Sequence, residues 1–300
     1  MKKYQEMIEK YNIPGRDLYD LPSSHLRFSD GAHYRNELSG IETLDQMEDL
    51  IKEMEKRKIP IHRVIALGSS GTSMYTFKEL QEFALMGKEA QIEVIAIPQP
   101  RAHLDIGKHT ASEWGRYSGI RVRGSDMVCY LLQDILRCIE AGIRGFLLFG
   151  EDVLSLFQQM RKKGDLPDNL VFKLSYTAGV SNAAGCLLAE QLGADSINPI
   201  TDLTLPMLAS MRKAVKIPLD IVTIDLVELG VVNRFWECSE IIRVCSPCYN
   251  KLELHIGKGI VKDAKTGVKY CEVLRELIFK QNPELILSEQ GPKDLRIPQP

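Results

Sequence analysis

The sequence predicts an α/β fold, a (β/α)8 TIM barrel, and three observations predict it. Eight times between Tyr34 and Leu254 the chain writes a short apolar, β-branched run, followed in all but the last unit by an amphipathic stretch of helical period. The runs begin near residues 34, 63, 92, 145, 171, 196, 219 and 242, which is 23 to 29 apart save for one interval of 53. With 300 residues and 44% hydrophobic content the chain can also bury a large core, and a barrel of this length is commonly one domain. The expected division is an N-terminal extension over 1–33, a barrel over 34–254, and a C-terminal helix and tail over 255–300.

Taken in order, the first thirty residues carry turn chemistry at Pro14-Gly15, Pro22-Ser23-Ser24 and Asp30-Gly31. They are expected to wrap the barrel's end or to reach a partner subunit of a homo-oligomer. Strand one is Tyr34 to Leu38, and Leu44, Met47, Ile51 and Met54 then recur at helical spacing, so residues 42–57 form the first crossover helix. Strand two, Val64 to Leu67, ends in Gly68-Ser69-Ser70-Gly71-Thr72-Ser73. That turn could offer backbone amides to an anion, although it matches neither a Walker loop nor a dinucleotide fingerprint. Strand three is Ile92 to Ile97. The long interval follows it, and residues 100–126 are expected to be a lid or binding loop, because barrel sites lie beyond the C-terminal ends of the strands. Strand four is Gly145 to Phe149, with Asp152 expected to cap the next helix. Strand five is Val171 to Tyr176, with Ser181-Asn182 as the following cap. Strands six, seven and eight are Ser196 to Ile200, Leu219 to Ile224 and Ile242 to Leu254, and helix returns at Glu272 to Lys280.

Charge narrows the partners. The 38 Lys and Arg residues nearly cancel the 40 Asp and Glu residues, and no basic block is present, which argues against nucleic acid. No apolar run reaches 18 residues and residues 1–12 are polar, so neither a membrane span nor a signal peptide is expected, and the expected location is the cytoplasm. Seven scattered cysteines fit reduced thiols.

The chemistry is read from polar residues where a barrel interior wants Val and Ile. In strand five Phe172, Leu174 and Tyr176 share one face, leaving Lys173 and Ser175 pointing into the barrel. A buried ammonium needs carboxylates or a ligand, so Lys173 is either a site residue or a structurally neutralised one. Arg35 and Glu37 share a face of strand one, Asn198 interrupts strand six before Asp202, and Asp220 stands inside strand seven. Asp202 also reads as a cap for the next helix. The expected catalytic residues are Glu37, Lys173 and Asp220, with Arg35, Arg101, Ser175, Asn198 and Asp202 binding substrate. A second reading uses Cys238, Cys245 and Cys248, spaced C-x6-C-x2-C around strand eight, as ligands of a metal or iron-sulfur cluster. Against it, a cysteine inside an apolar strand, as Cys245 reads, behaves as a small core residue. The cofactor is left open. No H-E-x-x-H arrangement and no G-x-S-x-G elbow occurs.

The text Gly142-Ile143-Arg144-Gly145-Phe146-Leu147-Leu148, Glu151-Asp152, Lys173-Leu174-Ser175-Tyr176-Thr177, Val180-Ser181-Asn182-Ala183, Leu192-Gly193-Ala194-Asp195 and Asp202-Leu203-Thr204-Leu205 with Met211 resembles the collagenase-like peptidases of family U32. The resemblance implies a barrel and a peptidase activity, and it extends to iron-sulfur relatives that hydroxylate RNA or quinone precursors. After strand seven that family carries a His-Gly-x-x-Cys motif, whereas this chain reads Ile221 to Gly230 with neither His nor Cys, so the family's cysteines are not carried over. Asp30 to Glu37 and Leu166 to Lys173 resemble a divergent bacterial branch lacking that motif. The expectation is a peptidase-like enzyme acting on a small polar or anionic substrate, a peptide or amino-acid derivative. The alternatives are a metal-dependent oxidoreductase or hydroxylase and a non-catalytic ligand-binding or partner subunit.

Overall fold

In the computed structural model, which describes residues 1–68, 71–100, 112, 120–225, 232–253 and 263–300, the apolar runs become eight parallel strands closed into a TIM barrel. Strands β1 (Tyr34–Ile41), β2 (Arg63–Ala66), β3 (Glu93–Ala96), β4 (Gly145–Leu148), β5 (Val171–Leu174), β6 (Ser196–Ile197) and β7 (Leu219–Asp225) neighbour one another in sequence order. A two-residue strand, β8 (Val232–Asn233), pairs antiparallel with the end of β7. The eighth barrel strand, β9 (Cys248–Glu253), lies between β7 and β1 and closes the ring.

Helices α2 (Leu44–Arg57), α3 (Phe77–Glu89), α4 (Gly124–Glu140), α5 (Glu151–Lys163), α6 (Ala183–Leu192), α7 (Leu205–Ala214) and α8 (Cys238–Cys245) connect the barrel strands, while α1 (Lys2–Glu9) precedes them and α9 (Ala264–Gln281) follows. Local chemistry sets their starts. Thr43 and Gln46 form a reciprocal capping box at α2, and Met47, Leu50 and Met54 then bury one stripe. Asn182 caps α6 by accepting from the Gly185 amide at 2.9 Å, as its position in the sequence predicts. Asp152 does not cap α5; Gly150 holds that place, and the carboxylates of Glu151 and Asp152 fall in the first turn, where the helix dipole favours them. Asp202 does not cap α7 either: Thr204 is the N-cap and Asp202 is exposed.

Strand eight starts later than the sequence suggests. Ile241, Ile242, Val244 and Cys245 belong to α8, which buries them against the sheet, and the strand begins only at Cys248. A short apolar run is compatible with either a buried strand or a buried helix turn, and here the contact with the sheet's outer face decides for the helix.

The main core lies between the sheet and its helices, with Phe83, Phe146, Phe157 and Phe172 among its largest members. Inside the barrel the apolar share is small: Ile65, Ile95, Leu147 and Val171 fill one side from β2 to β5. The N-terminal face of the barrel is sealed by both ends of the chain. Phe28 and Ala32 pack on Tyr249, and the tail adds backbone bonds from Ser288 to Tyr34 (3.1 Å) and from Gln299 to Gly142 (2.7 Å). Gly142 has φ +103°, and a Cβ there would run into Pro300, so glycine is what lets the tail close down. Of the two roles expected for the extension, residues 18–33 perform the wrapping: Leu18 and Ser24 donate to Pro206 and Arg243. Among the described residues no helix is long and apolar enough to cross a membrane.

Candidate active site

Opposite the apolar side, the barrel interior is ionic. Strand alternation puts Glu37 inside on β1, Arg63 on β2, Glu93 on β3, Lys173 on β5, Ser196 and Asn198 on or just after β6, Asp220 on β7, and Tyr249, Lys251 and Glu253 on β9. Parallel registry brings several side by side: Arg63 faces Glu37 and Glu93, Lys251 faces Glu37, and Tyr249 faces Asp220. The remaining contacts cross the barrel.

Lys173 reaches from β5 to the diametrically opposed β1. Its Nζ lies 2.5 and 2.7 Å from the two Glu37 oxygens and 2.9 Å from Asp220 Oδ2, and neither Lys173 nor either carboxylate is exposed. Contacts this short to carboxylate oxygens are those of an ammonium donor. Burial pushes the Lys173 pKa below the ordinary lysine value, although Asp220 and Glu37 oppose it. Burial would likewise raise the Glu37 carboxyl, but Lys173, Lys251 and Arg63 together hold it below its usual value. Arg63 donates through Nε to Glu93 (2.5 Å) and through Nη1 to Ser196 (3.0 Å), lies 3.4 Å from both Glu37 and Asp220, and stands over the Tyr249 ring, 3.8 Å from its centroid. Ser196 in turn donates to Asp220 at 2.7 Å. This lower layer is fully paired.

Nearer the C-terminal mouth sits a second layer. Lys251 Nζ donates to Asn198 Oδ1 at 2.8 Å, pairs with Glu253, stands 3.9 Å from Glu37 and lies 5.6 Å over the Tyr176 ring. Burial disfavours its charge, yet Glu253 and Glu37 hold its pKa above the ordinary value. Asn198 is fixed by its amide, which donates to the Asp220 carbonyl at 2.8 Å. Ser175 is buried at the end of β5, where it accepts from Thr177. The two layers communicate through Glu37, which lies within reach of both lysines.

The structure therefore brings together Glu37, Lys173, Asp220 and Asn198, as the sequence predicts, with Ser175 at the adjoining strand end. It does not bring Arg35 to the mouth. Arg35 shares the interior face with Glu37, but two residues earlier on β1 is about 6.6 Å nearer the N-terminal end. There it donates to Ser288 (3.0 Å) and Asp294 (2.6 Å) and lies 3.9 Å over the Phe28 ring, holding the two chain ends. Asp202 stands exposed beyond β6. Arg101 lies outside the described residues, as does most of the expected 100–126 loop. In the serine-rich turn after β2, the Gly68 amide is already taken by Glu42 Oε2 at 2.7 Å, and Ser69 and Ser70 fall outside the description.

Four interior charges escape the sequence reading: Arg63, Glu93, Lys251 and Glu253. A signal existed for the last two, since Lys251 and Glu253 alternate with Leu252 by the same rule that exposes Lys173. The cysteine set is arranged differently from the spacing argument. Cys238 and Cys245 stand at opposite ends of α8, Cys248 opens β9, and burial pushes the thiols of the first two up to about 12 and that of Cys248 well above its ordinary value. Among the described residues no group of three or more His, Cys, Asp or Glu side chains converges as metal ligands.

No family model matches the chain, and no curated protein matches its sequence. Solved structures do. A fructose-1,6-bisphosphate aldolase candidate from Coccidioides immitis superposes with a TM-score of 0.50 at 9% identity over 84% of this chain and 91% of its own, which shows the shared barrel fold. A thiamine phosphate pyrophosphorylase from Pyrococcus furiosus gives 0.48 at 11% identity over 81% and 96% of the two chains. A U32 peptidase gives 0.40 at 15% identity over 66% and 72%. A barrel at such identity fixes architecture and leaves the reaction to the side chains.

Proposed function

We propose that the barrel is an enzyme acting on a small anionic or polar substrate, a peptide or amino-acid derivative, by acid-base chemistry at its C-terminal mouth. The observation that carries the reading is the two-layer ionic cluster, because burying this many charges costs stability that a scaffold could recover with apolar packing. The peptide part of the reading rests on the sequence resemblance to the U32 peptidases.

In this reading the lower layer, Glu37, Lys173 and Asp220 with Arg63 and Glu93, is a fixed electrostatic floor. The upper layer works. A substrate carboxylate or developing oxyanion takes the place of Glu253 on the Lys251 ammonium, with Asn198 fixing the ammonium's position. Displacement frees the Glu253 carboxylate to accept a proton from the substrate or an attacking water and return it to the leaving group. Glu37, shared between the two lysines, keeps Lys251 charged while its partner changes. The Tyr176 ring lies beside the Lys251 ammonium, 5.6 Å from it.

A thermal-shift and turnover screen of dipeptides, amino-acid amides and N-acyl amino acids tests this, with the Lys251→Met and Glu253→Gln variants alongside. A substrate is expected to stabilise the wild type and lose that effect in Lys251→Met. Glu253→Gln should still bind while turnover drops by roughly 10²- to 10⁴-fold, the usual worth of a general acid-base group. If no compound of the three classes stabilises the wild type or is turned over, the reading falls.

A further inference from the structure

Away from the ionic cluster, at the C-terminal end of β3, one side chain is left without partners. Gln99 is only 6% exposed, and neither its Oε1 nor its Nε2 makes a hydrogen bond. Buried amides are nearly always paired, so an orphan of this kind calls for an explanation. Everything around it is held. The Gln99 backbone amide donates to Asp134 Oδ2 at 2.9 Å, and the same carboxylate accepts from the Thr72 hydroxyl. Arg137 donates to the Thr72 and Tyr75 carbonyls and approaches Asp134 at 3.4 Å. Gly71, at φ +79°, lies so close that any Cβ would collide with the Gln99 amide. The wall is thus pre-set by hydrogen bonds, and the free donor and acceptor are those of the Gln99 side chain.

Gln99 lines a cavity of about 420 Å³ between the end of β3 and α4. Met127, Tyr130, Asp134 and Arg137 recur at helical spacing along the α4 face that forms its other wall. Tyr130 is 56% exposed and offers an aromatic surface on the same cavity. As packed on Gly71, the amide atoms do not reach solvent, but no hydrogen bond has to break for a change of rotamer to turn them into the cavity.

We infer that this cavity binds a small planar ligand through a cis-amide (lactam) edge, whose adjacent N–H and C=O pair with the side-chain amide of Gln99 while Tyr130 covers its face. A donor and an acceptor side by side are what a carboxamide reads best, and a ligand supplying both satisfies two buried groups at once. The inference uses none of the residues assigned to turnover, so it stands or falls separately from the reaction proposed above.

Calorimetric titration with hydantoin and uracil tests it, with their 1,3-dimethyl derivatives, which lack the N–H donors, as controls. At least one of the two probes is expected to bind the wild type with its dimethyl derivative at least tenfold weaker. Gln99→Leu should lose roughly tenfold or more in affinity, as expected for losing two hydrogen bonds of modest net worth. It should also melt higher than the wild type, because two unpaired polar atoms leave the interior. Tyr130→Ala, at an exposed position, should keep its fold and weaken binding severalfold. Equal affinity of Gln99→Leu and wild type, equal binding of the methylated controls, or no binding of either probe at millimolar concentration would overturn the assignment.

Discussion

Lys173 has carboxylates on two sides and no exposed surface, and that fixes what its replacement does. Lys173→Met leaves Glu37 and Asp220 buried with Arg63 as their nearest common cation, and breaking a buried ionic set in this way costs about 3–5 kcal/mol. A Lys173→Met, Asp220→Asn double variant should recover part of the loss, because the second change removes a stranded charge. Urea unfolding of the single and double variants measures both, and strict additivity would contradict the network described here. His62 provides a residue-scale test of pH dependence. Its Nδ1 accepts from the Asn36 amide at 3.0 Å and its Nε2 lies 3.1 Å from the Ser288 and Glu289 carbonyls, so the ring is neutral with its proton on Nε2. Burial, reinforced by the Arg35 charge, pushes its pKa down to about 4. Between pH 6.5 and 4 the unfolded chain then binds a proton that the fold does not, so His62 stabilises the fold above pH 6.5 and that contribution is lost as pH falls toward 4. The loss amounts to about 3 kcal/mol. Denaturant unfolding of wild type and His62→Gln from pH 7 to 4 should show the difference between them shrinking with acidity, and a difference independent of pH would refute the assignment.

At the scale of elements, β1 separates two functions by position alone. Its N-terminal half carries Arg35 into the seal made by Phe28, Ser288 and Asp294, and its middle carries Glu37 into the ionic cluster. Arg35→Met should therefore destabilise by about 2 kcal/mol and speed amide exchange in residues 286–296. It should leave ligand binding at the mouth within a factor of two, whereas Lys251→Met should abolish that binding. Loss of binding in Arg35→Met would return that residue to the site. α8 shows how an element's identity is decided from outside itself. Residues 241–245 satisfy a strand pattern as well as a helical one, and burial on the sheet's outer face, together with the need for a crossover between the parallel neighbours β7 and β9, makes them a helix.

For the whole molecule the decisive fact is closure. The N-terminal face is sealed by the extension and the tail, while the segments after β2, β3, β7 and β9 leave the barrel at its C-terminal face, the side nearer to Asn198, Lys251 and Glu253. A ligand at that mouth stabilises the entire cooperative unit by mass action. At a hundredfold excess over its Kd the gain is about 2.7 kcal/mol, readable as a melting-temperature rise of several degrees that Lys251→Met abolishes. The eight-fold rhythm, the crossover helices and the inward direction of Lys173 follow from the sequence by itself, because strand alternation and helical period are local properties that each segment carries alone. Glu37, Asp220 and Asn198 were legible for the same reason, as polar residues standing at interior parity. Which charges meet was legible only in part: a strand-one carboxylate was a visible partner for Lys173, and Glu37 meets it across 136 residues. The contact of Arg63 with Asp220 across 157 residues was not, since nothing in either segment records the other. Pairing β9 with β1 alone sets Lys251 beside Glu37, and the two-residue offset along β1 alone withdraws Arg35 from the mouth. Those outcomes belong to the closed barrel, since strand order and register are set by how the whole sheet buries its apolar face and compensates its interior charge.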